Sequence, residues 1–133
     1  MPKLRVLTLT SQKKLVSIAQ KLNESNDTAV DTIPPAYNVE RVRLLIVCIS
    51  AKKINTNVLR FFDALDKNRV ANIAFVTDSD PSSIAEISNS CKSAGINVSD
   101  NILFVKCGLF SSASPEDLEK AVEWKNAIEQ EIN

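Results

Sequence analysis

Residues 44–50, LLIVCIS, are almost continuously apolar. A strand wetted on one face alternates apolar and polar side chains. A run without that alternation fits a strand covered on both faces, as in the middle of a parallel sheet. Parallel neighbours are joined by crossovers, usually helices. This segment therefore points to an α/β chain with helices above and below a sheet.

The remaining sequence supplies the partners. Residues 4–9 (LRVLTL) form a short β-rich run, and Leu15, Ile18, Ala19 and Leu22 follow at helical spacing, with Ser11 expected as N-cap. Residues 23–27 break that helix. Residues 28–33 then form a short strand that Pro34-Pro35 stops. After the central run, Val58, Phe61, Phe62 and Leu65 mark a second helix, residues 71–77 (ANIAFVT) a strand, and Ile84, Ile87 and Cys91 a third helix closed near Gly95. Residues 102–105 (ILFV) give the last strand. Ser114-Pro115-Glu116-Asp117 opens the last helix, with Leu118, Ala121, Val122 and Ile128 on its inner face. Five strands and four helices in alternation predict an α/β fold: a three-layer, doubly wound, five-stranded parallel sheet of order 2-1-3-4-5. One domain is expected over residues 1–133, a normal domain length.

Composition removes several chemistries. The chain has no histidine, so it has no histidine metal ligand and no Ser-His or Cys-His catalytic pair. Cys48, Cys91 and Cys107 lack C-x-x-C spacing and suggest neither a zinc site nor a disulfide framework. Cys48 and Cys107 are expected to serve packing, as small apolar side chains. Sixteen basic and sixteen acidic residues cancel, which argues against nucleic acid as a partner. The charges are uneven: residues 1–60 carry ten basic and four acidic side chains, residues 61–133 six and twelve. Glu116, Asp117, Glu119, Glu123, Glu129 and Glu131 concentrate the acidity near the C-terminus, and a solvated helix face accounts for them. No apolar run approaches the length that crosses a membrane, and Met1-Pro2-Lys3 leads straight into the first strand. A cytoplasmic protein is expected.

Three stretches resemble the short-chain flavodoxins. Residues 44–65 (LLIVCISAKKINTNVLRFFDAL) resemble the family's third strand, its loop and a helix ending in F-x-x-x-L. Residues 70–77 (VANIAFVT) resemble the fourth strand with its closing threonine, and residues 102–124 (ILFVKCGLFSSASPEDLEKAVEW) the last strand, its turn and the terminal helix. The resemblance covers nearly the whole chain and implies the flavodoxin-like fold. It also implies FMN as cofactor and electron transfer as activity. The family holds FMN in three loops. By the resemblance these fall on Thr8, Thr10, Ser11, Gln12 and Lys13 after the first strand, on Ser50, Ala51 and Lys52 after the third, and on Thr77 and Asp78 after the fourth.

All three loops depart from the family pattern. The family's phosphate loop reads roughly S/T-x-T-G-x-T-x-x, whereas residues 8–14 read TLTSQKK and hold no glycine. A phosphate needs several converging backbone N–H groups, and glycine lets the chain curl that tightly. The second loop, SAKKIN at 50–55, lacks the usual proline and flavin-stacking aromatic; the third, TDSDP at 77–81, lacks glycine and aromatic. The expectation is a flavodoxin-like chain that has lost standard FMN binding and acts as a binding module. The alternative is a divergent flavodoxin that still binds FMN.

Ligands of doubly wound sheets sit beyond the carboxyl ends of the strands, at the switch in strand order. Here that switch lies between the first and third strands, whose loops carry Lys13-Lys14 and Lys52-Lys53. Such an edge would attract an anionic small molecule or an acidic protein partner; solvated loop lysines are the plainer account. Receiver domains offer a further comparison. Thr77 and Lys106 fill two of their functional positions, but Ser50 stands where their phosphoaccepting aspartate would be, and no acidic pair follows the first strand. No catalytic set emerges. Asp78 and Asp80 read as turn formers, Ser82 or Ser83 as a helix start, Tyr37 as a surface anchor and Trp124 as packing at the last helix's flank.

Overall fold

The computed structural model describes residues 4–8, 12–24, 30–33, 39, 41–50, 54–78, 81–106 and 113–132. Strand β1 (Leu4–Thr8) leads through a four-residue connection into helix α1 (Lys13–Leu22). Then come β2 (Asp31–Thr32), β3 (Val42–Ile49), α2 (Thr56–Asp63) and β4 (Val70–Thr77). A single 3-10 turn, Pro81–Ile84, enters α3 (Ala85–Ser93). Two short strands, β5 (Asn97–Val98) and β6 (Leu103–Phe104), precede α4 (Pro115–Ile132). All strand pairs are parallel, in the order β2-β1-β3-β4-β5, with β6 also on β4.

The apolar run does what its composition demands. Successive side chains of a strand point to opposite faces. Leu44, Ile46 and Cys48 join the layer under α1 and α4, while Leu45, Val47 and Ile49 join the layer under α2 and α3. The β3 residues Leu44 to Ile49 are all at most 2% exposed. Phe62 of α2 and Phe75 of β4 anchor the second layer, with ring centroids 6.4 Å apart. Trp124 and Ile128 of α4 anchor the first against α1.

Local signals place the helix ends. The Asn55 side chain accepts a hydrogen bond from the Val58 N–H at 3.1 Å and caps α2. At α4 the Ser114 and Asp117 side chains accept from each other's N–H, at 3.2 and 3.0 Å, a reciprocal box. Helix α3 ends on Ala94, and Gly95 follows at φ +87°. The Gly95 N–H donates to the Lys92 carbonyl and the Ile96 N–H to the Cys91 carbonyl, both at 3.0 Å. That double bond pattern requires a left-handed residue, which glycine adopts without strain.

Three sequence expectations need correction. The N-cap position of α1 is Gln12, with no side-chain cap, not Ser11. The buried residues of α4 are Ala121, Trp124 and Ile128, with Leu118 half-buried against the same layer as expected; Trp124 is buried rather than flanking, and Val122 is only partly covered. The last strand is divided. Asn97 stands opposite Asn72, but Leu103 stands opposite Val76, so six residues on this strand span what four span on β4. Two residues more than the ladder needs bulge out there. Thr10, Ser11, Tyr37, Ala51, Lys52, Lys53, Asp80 and Cys107 lie outside the described residues.

Candidate functional site

The carboxyl ends of β1, β3 and β4 meet at one end of the sheet. Register brings them level: Thr8 pairs with Cys48, and Ile49 with Thr77. The next residues, Ser50 and Asp78, are therefore neighbours. The Ser50 hydroxyl donates to Asp78 Oδ2 at 2.9 Å. Ser50 and Thr77 are buried, and so is Thr8. Four of the sequence-derived positions, Thr8, Ser50, Thr77 and Asp78, thus gather at one mouth, as the strand-order rule requires.

Gln12 and Lys13 stand at the start of α1 beside this mouth, Lys13 exposed. No acidic residue occupies the helix's own first turn, so none of its side chains offsets the positive dipole end. Lys14 is diverted. Its ammonium donates to the Lys106 carbonyl at 2.7 Å and lies 3.3 Å from Asp117 Oδ2, with the side chain only 13% exposed. It braces α1 against α4 and leaves the group of four lysines that the sequence placed on one edge. Of those, Lys13 alone is described and exposed.

The described cysteines are not reactive groups. Complete burial pushes the Cys48 thiol up to about 12. Burial, then the Asp63 carboxylate, pushes Cys91 up to about 12 as well. A thiol is nucleophilic as the thiolate, so neither can attack near neutral pH. Among the described residues no three acidic or cysteine side chains are grouped to hold a metal ion. No described helix is long and apolar enough to cross a membrane.

Sequence reasoning missed two features at the open edge. Phe104 of β6 is 48% exposed, although it lies in an apolar run read as the last strand. Lys14, Lys106 and Lys120 line one hollow there with Asp117. No local signal could reveal either, because both follow from β6 lying at the edge.

No protein-family model matches the chain, and no curated protein sequence matches it. A solved structure does: one described as a short-chain flavodoxin associated with a non-canonical PDU bacterial microcompartment. The two superpose with a TM-score of 0.61 over 100% of both chains, at 14% sequence identity. With the parallel sheet, its strand order and helices on both faces, that match shows that this chain has the flavodoxin-like fold.

Proposed function

We propose that this chain is a flavodoxin-fold binding module that has given up the standard FMN site. The Ser50–Asp78 hydrogen bond carries this reading. It fixes a carboxylate at the mouth, between the ends of β3 and β4, where the fold would present a flavin. A negative charge there opposes the anionic reduced form; two like charges about 4 Å apart near a protein surface repel by about 1–4 kcal/mol. The first, second and third loops contain no glycine to curl backbone N–H groups around a phosphate. What remains is a helix end with Lys13 exposed, and in sequence a second loop that carries Lys52 and Lys53, charges suited to an anionic small molecule or an acidic protein.

A second reading, FMN-dependent electron transfer, is favoured by the match to a solved flavodoxin. Titration of the purified protein with FMN, followed by flavin absorbance and fluorescence quenching, separates the two. The module reading expects no saturable binding at about tens of micromolar FMN, weaker than about −6 kcal/mol. Submicromolar binding would replace it with electron transfer. Asp78→Asn sharpens the test. Removing the carboxylate should strengthen any residual binding of the reduced, anionic flavin about tenfold relative to oxidised FMN, near 1.4 kcal/mol. An unchanged ratio of the two affinities would show that Asp78 does not oppose the reduced flavin.

A further inference from the structure

We infer that the outer edge of β6 pairs with the same edge of a second copy of this chain, antiparallel and two-fold symmetric about Leu103. This surface is separate from the mouth, and the inference does not rest on the reading given there. It starts from where the backbone groups point. Leu103 and Phe104 stand opposite Val76 and Thr77, and the Val105 N–H donates to the Thr77 carbonyl at 3.0 Å. Successive residues of a strand turn their N–H and carbonyl to alternate sides. Leu103 and Val105 therefore face β4. Phe104 turns its N–H and carbonyl outward, and Ile102 its carbonyl. Among the described residues no strand pairs with that outer side. An edge of this kind is a template for another strand.

The side chains choose the occupant. Asp100 and Lys106 stand three residues to either side of Leu103 and carry opposite charges. Both are exposed, and neither has an ion pair among the described residues. Laid antiparallel on its own copy about Leu103, the edge sets Ile102 against Phe104 of the second copy and Asp100 against Lys106 of the second copy. Symmetry makes each pair twice. The Phe104 N–H then donates to the Ile102 carbonyl of the second copy. Neighbouring registers with the same outward groups fail. Centring on Ile102 sets Asp100 against Phe104, and centring on Phe104 sets Ile102 against Lys106. The Leu103 centre alone matches charge with charge and apolar with apolar. Such cross-strand pairs, with Cβ atoms about 4.5–5.5 Å apart, are what stabilise a sheet. Asp100 lies in the bulge, off the line of the strand, and the flexible four-carbon stem of Lys106 accommodates that offset.

Self-pairing also accounts for Phe104, the large apolar side chain left exposed among the described residues. Ile102 packs on the layer under α2 and α3, so Phe104, two residues on, belongs to the same face. Both border a hollow of about 410 Å³ between α3 and the divided strand. In the pair, each phenylalanine ring meets Ile102 of the other copy and covers the apolar rim of that hollow. The segment is also held ready. The Ser99 hydroxyl donates to the Glu131 carboxylate at 3.2 Å, the Asn101 N–H donates to Ser99 Oγ at 3.1 Å, and Trp124 Nε1 donates to the Asn101 carbonyl at 2.9 Å. A preorganised segment loses less freedom on binding. Charges and bulges often keep sheet edges apart. Here the bulge leaves residues 103–105 in step with β4, and the two charges attract when the edge meets itself.

The test is sedimentation equilibrium of the whole chain. The ladder is short and its interface small, so a dimer with a Kd of about 10–500 micromolar is expected. Asp100→Lys and Lys106→Glu each set like charges against each other and should weaken it about tenfold or more. Combining Asp100→Lys with Lys106→Asp restores opposite pairs at unchanged net charge, and should return the Kd to within about threefold of the original. Phe104→Ala should weaken the dimer about fivefold or more. The Phe104 amide should exchange more slowly at about 1 mM protein than at about 10 micromolar, because only the dimer gives it an acceptor. Three results would overturn the inference. One is a monomer up to about 1 mM. The second is a dimer whose Kd neither single charge change moves, which would place the contact on another surface. The third is a double swap as weak as the single changes, which would exclude the register about Leu103.

Discussion

The middle of the sheet and its open edge are held by different means. Strands β3 and β4 pair residue for residue from Val42 and Val70 to Ile49 and Thr77. Beside them the fifth strand keeps step for two residues, loses it, and regains it for two more. In the middle, both faces are covered and apolar burial specifies register, because a slip would move every side chain to the wrong layer. At the edge, individual polar bonds from α4 do the holding: Glu131 to Ser99 and Trp124 to Asn101. Continuous burial yields one ladder; piecemeal bonding permits a bulge, a cavity and an exposed phenylalanine.

Substitutions can break this contrast. Phe75→Ala strikes the middle, where the ring is fully buried against Phe62. It should cost about 3–5 kcal/mol in chemical denaturation, the usual loss for a buried phenylalanine. A loss near 1 kcal/mol would mean the middle is loosely packed and the contrast false. Trp124→Phe keeps most of the buried ring but deletes the donor to Asn101. It should cost about 1–2 kcal/mol and speed amide exchange at residues 99–101, with β3 and β4 protection retained. Faster exchange spreading into β3 would show that edge and middle open together.

The smallest effect concerns Asp117. The Ser114 N–H, then its hydroxyl, and the Lys14 ammonium hold its carboxyl below the usual carboxylate range. A group depressed in the folded state contributes stability that is present above its unfolded value, near pH 4, and lost as pH falls through the folded value. Asp117→Asn should therefore cost at most about 1 kcal/mol at neutral pH, since the pair is partly exposed, and should flatten the loss of stability below pH 4. An unaltered acid limb would remove Asp117 from the brace between α1 and α4.

The same contrast explains what the sequence made legible. LLIVCIS announced a doubly covered strand, and Ser114-Pro115-Glu116-Asp117 announced a helix start, because each signal is local and physical. Strand order followed from alternation and handedness. The strand ends converged where Ser50 and Asp78 were expected, yet their hydrogen bond depends on the Ile49–Thr77 register, which no local pattern encodes. Lys14 looked like a loop cation because its partner, Asp117, lies far along the chain. The divided fifth strand was invisible for the same reason. ILFV reads as one short strand, and only the sheet edge decides that Phe104 is left exposed.

The brace between α1 and α4 also bears on the order of folding. Lys14 meets Asp117 and the Lys106 carbonyl, and α1 packs on α4. The layer beneath α1 thus joins residues near one end of the chain to residues near the other. During synthesis, Leu15 and Ile18 must wait for Trp124 and Ile128 to leave the ribosome before that layer can close. The layer under α2 and α3 draws most of its members from residues 33–96 and can assemble sooner. Contacts separated by long stretches of chain form slowly, so a growing chain would carry one finished face and one open apolar face.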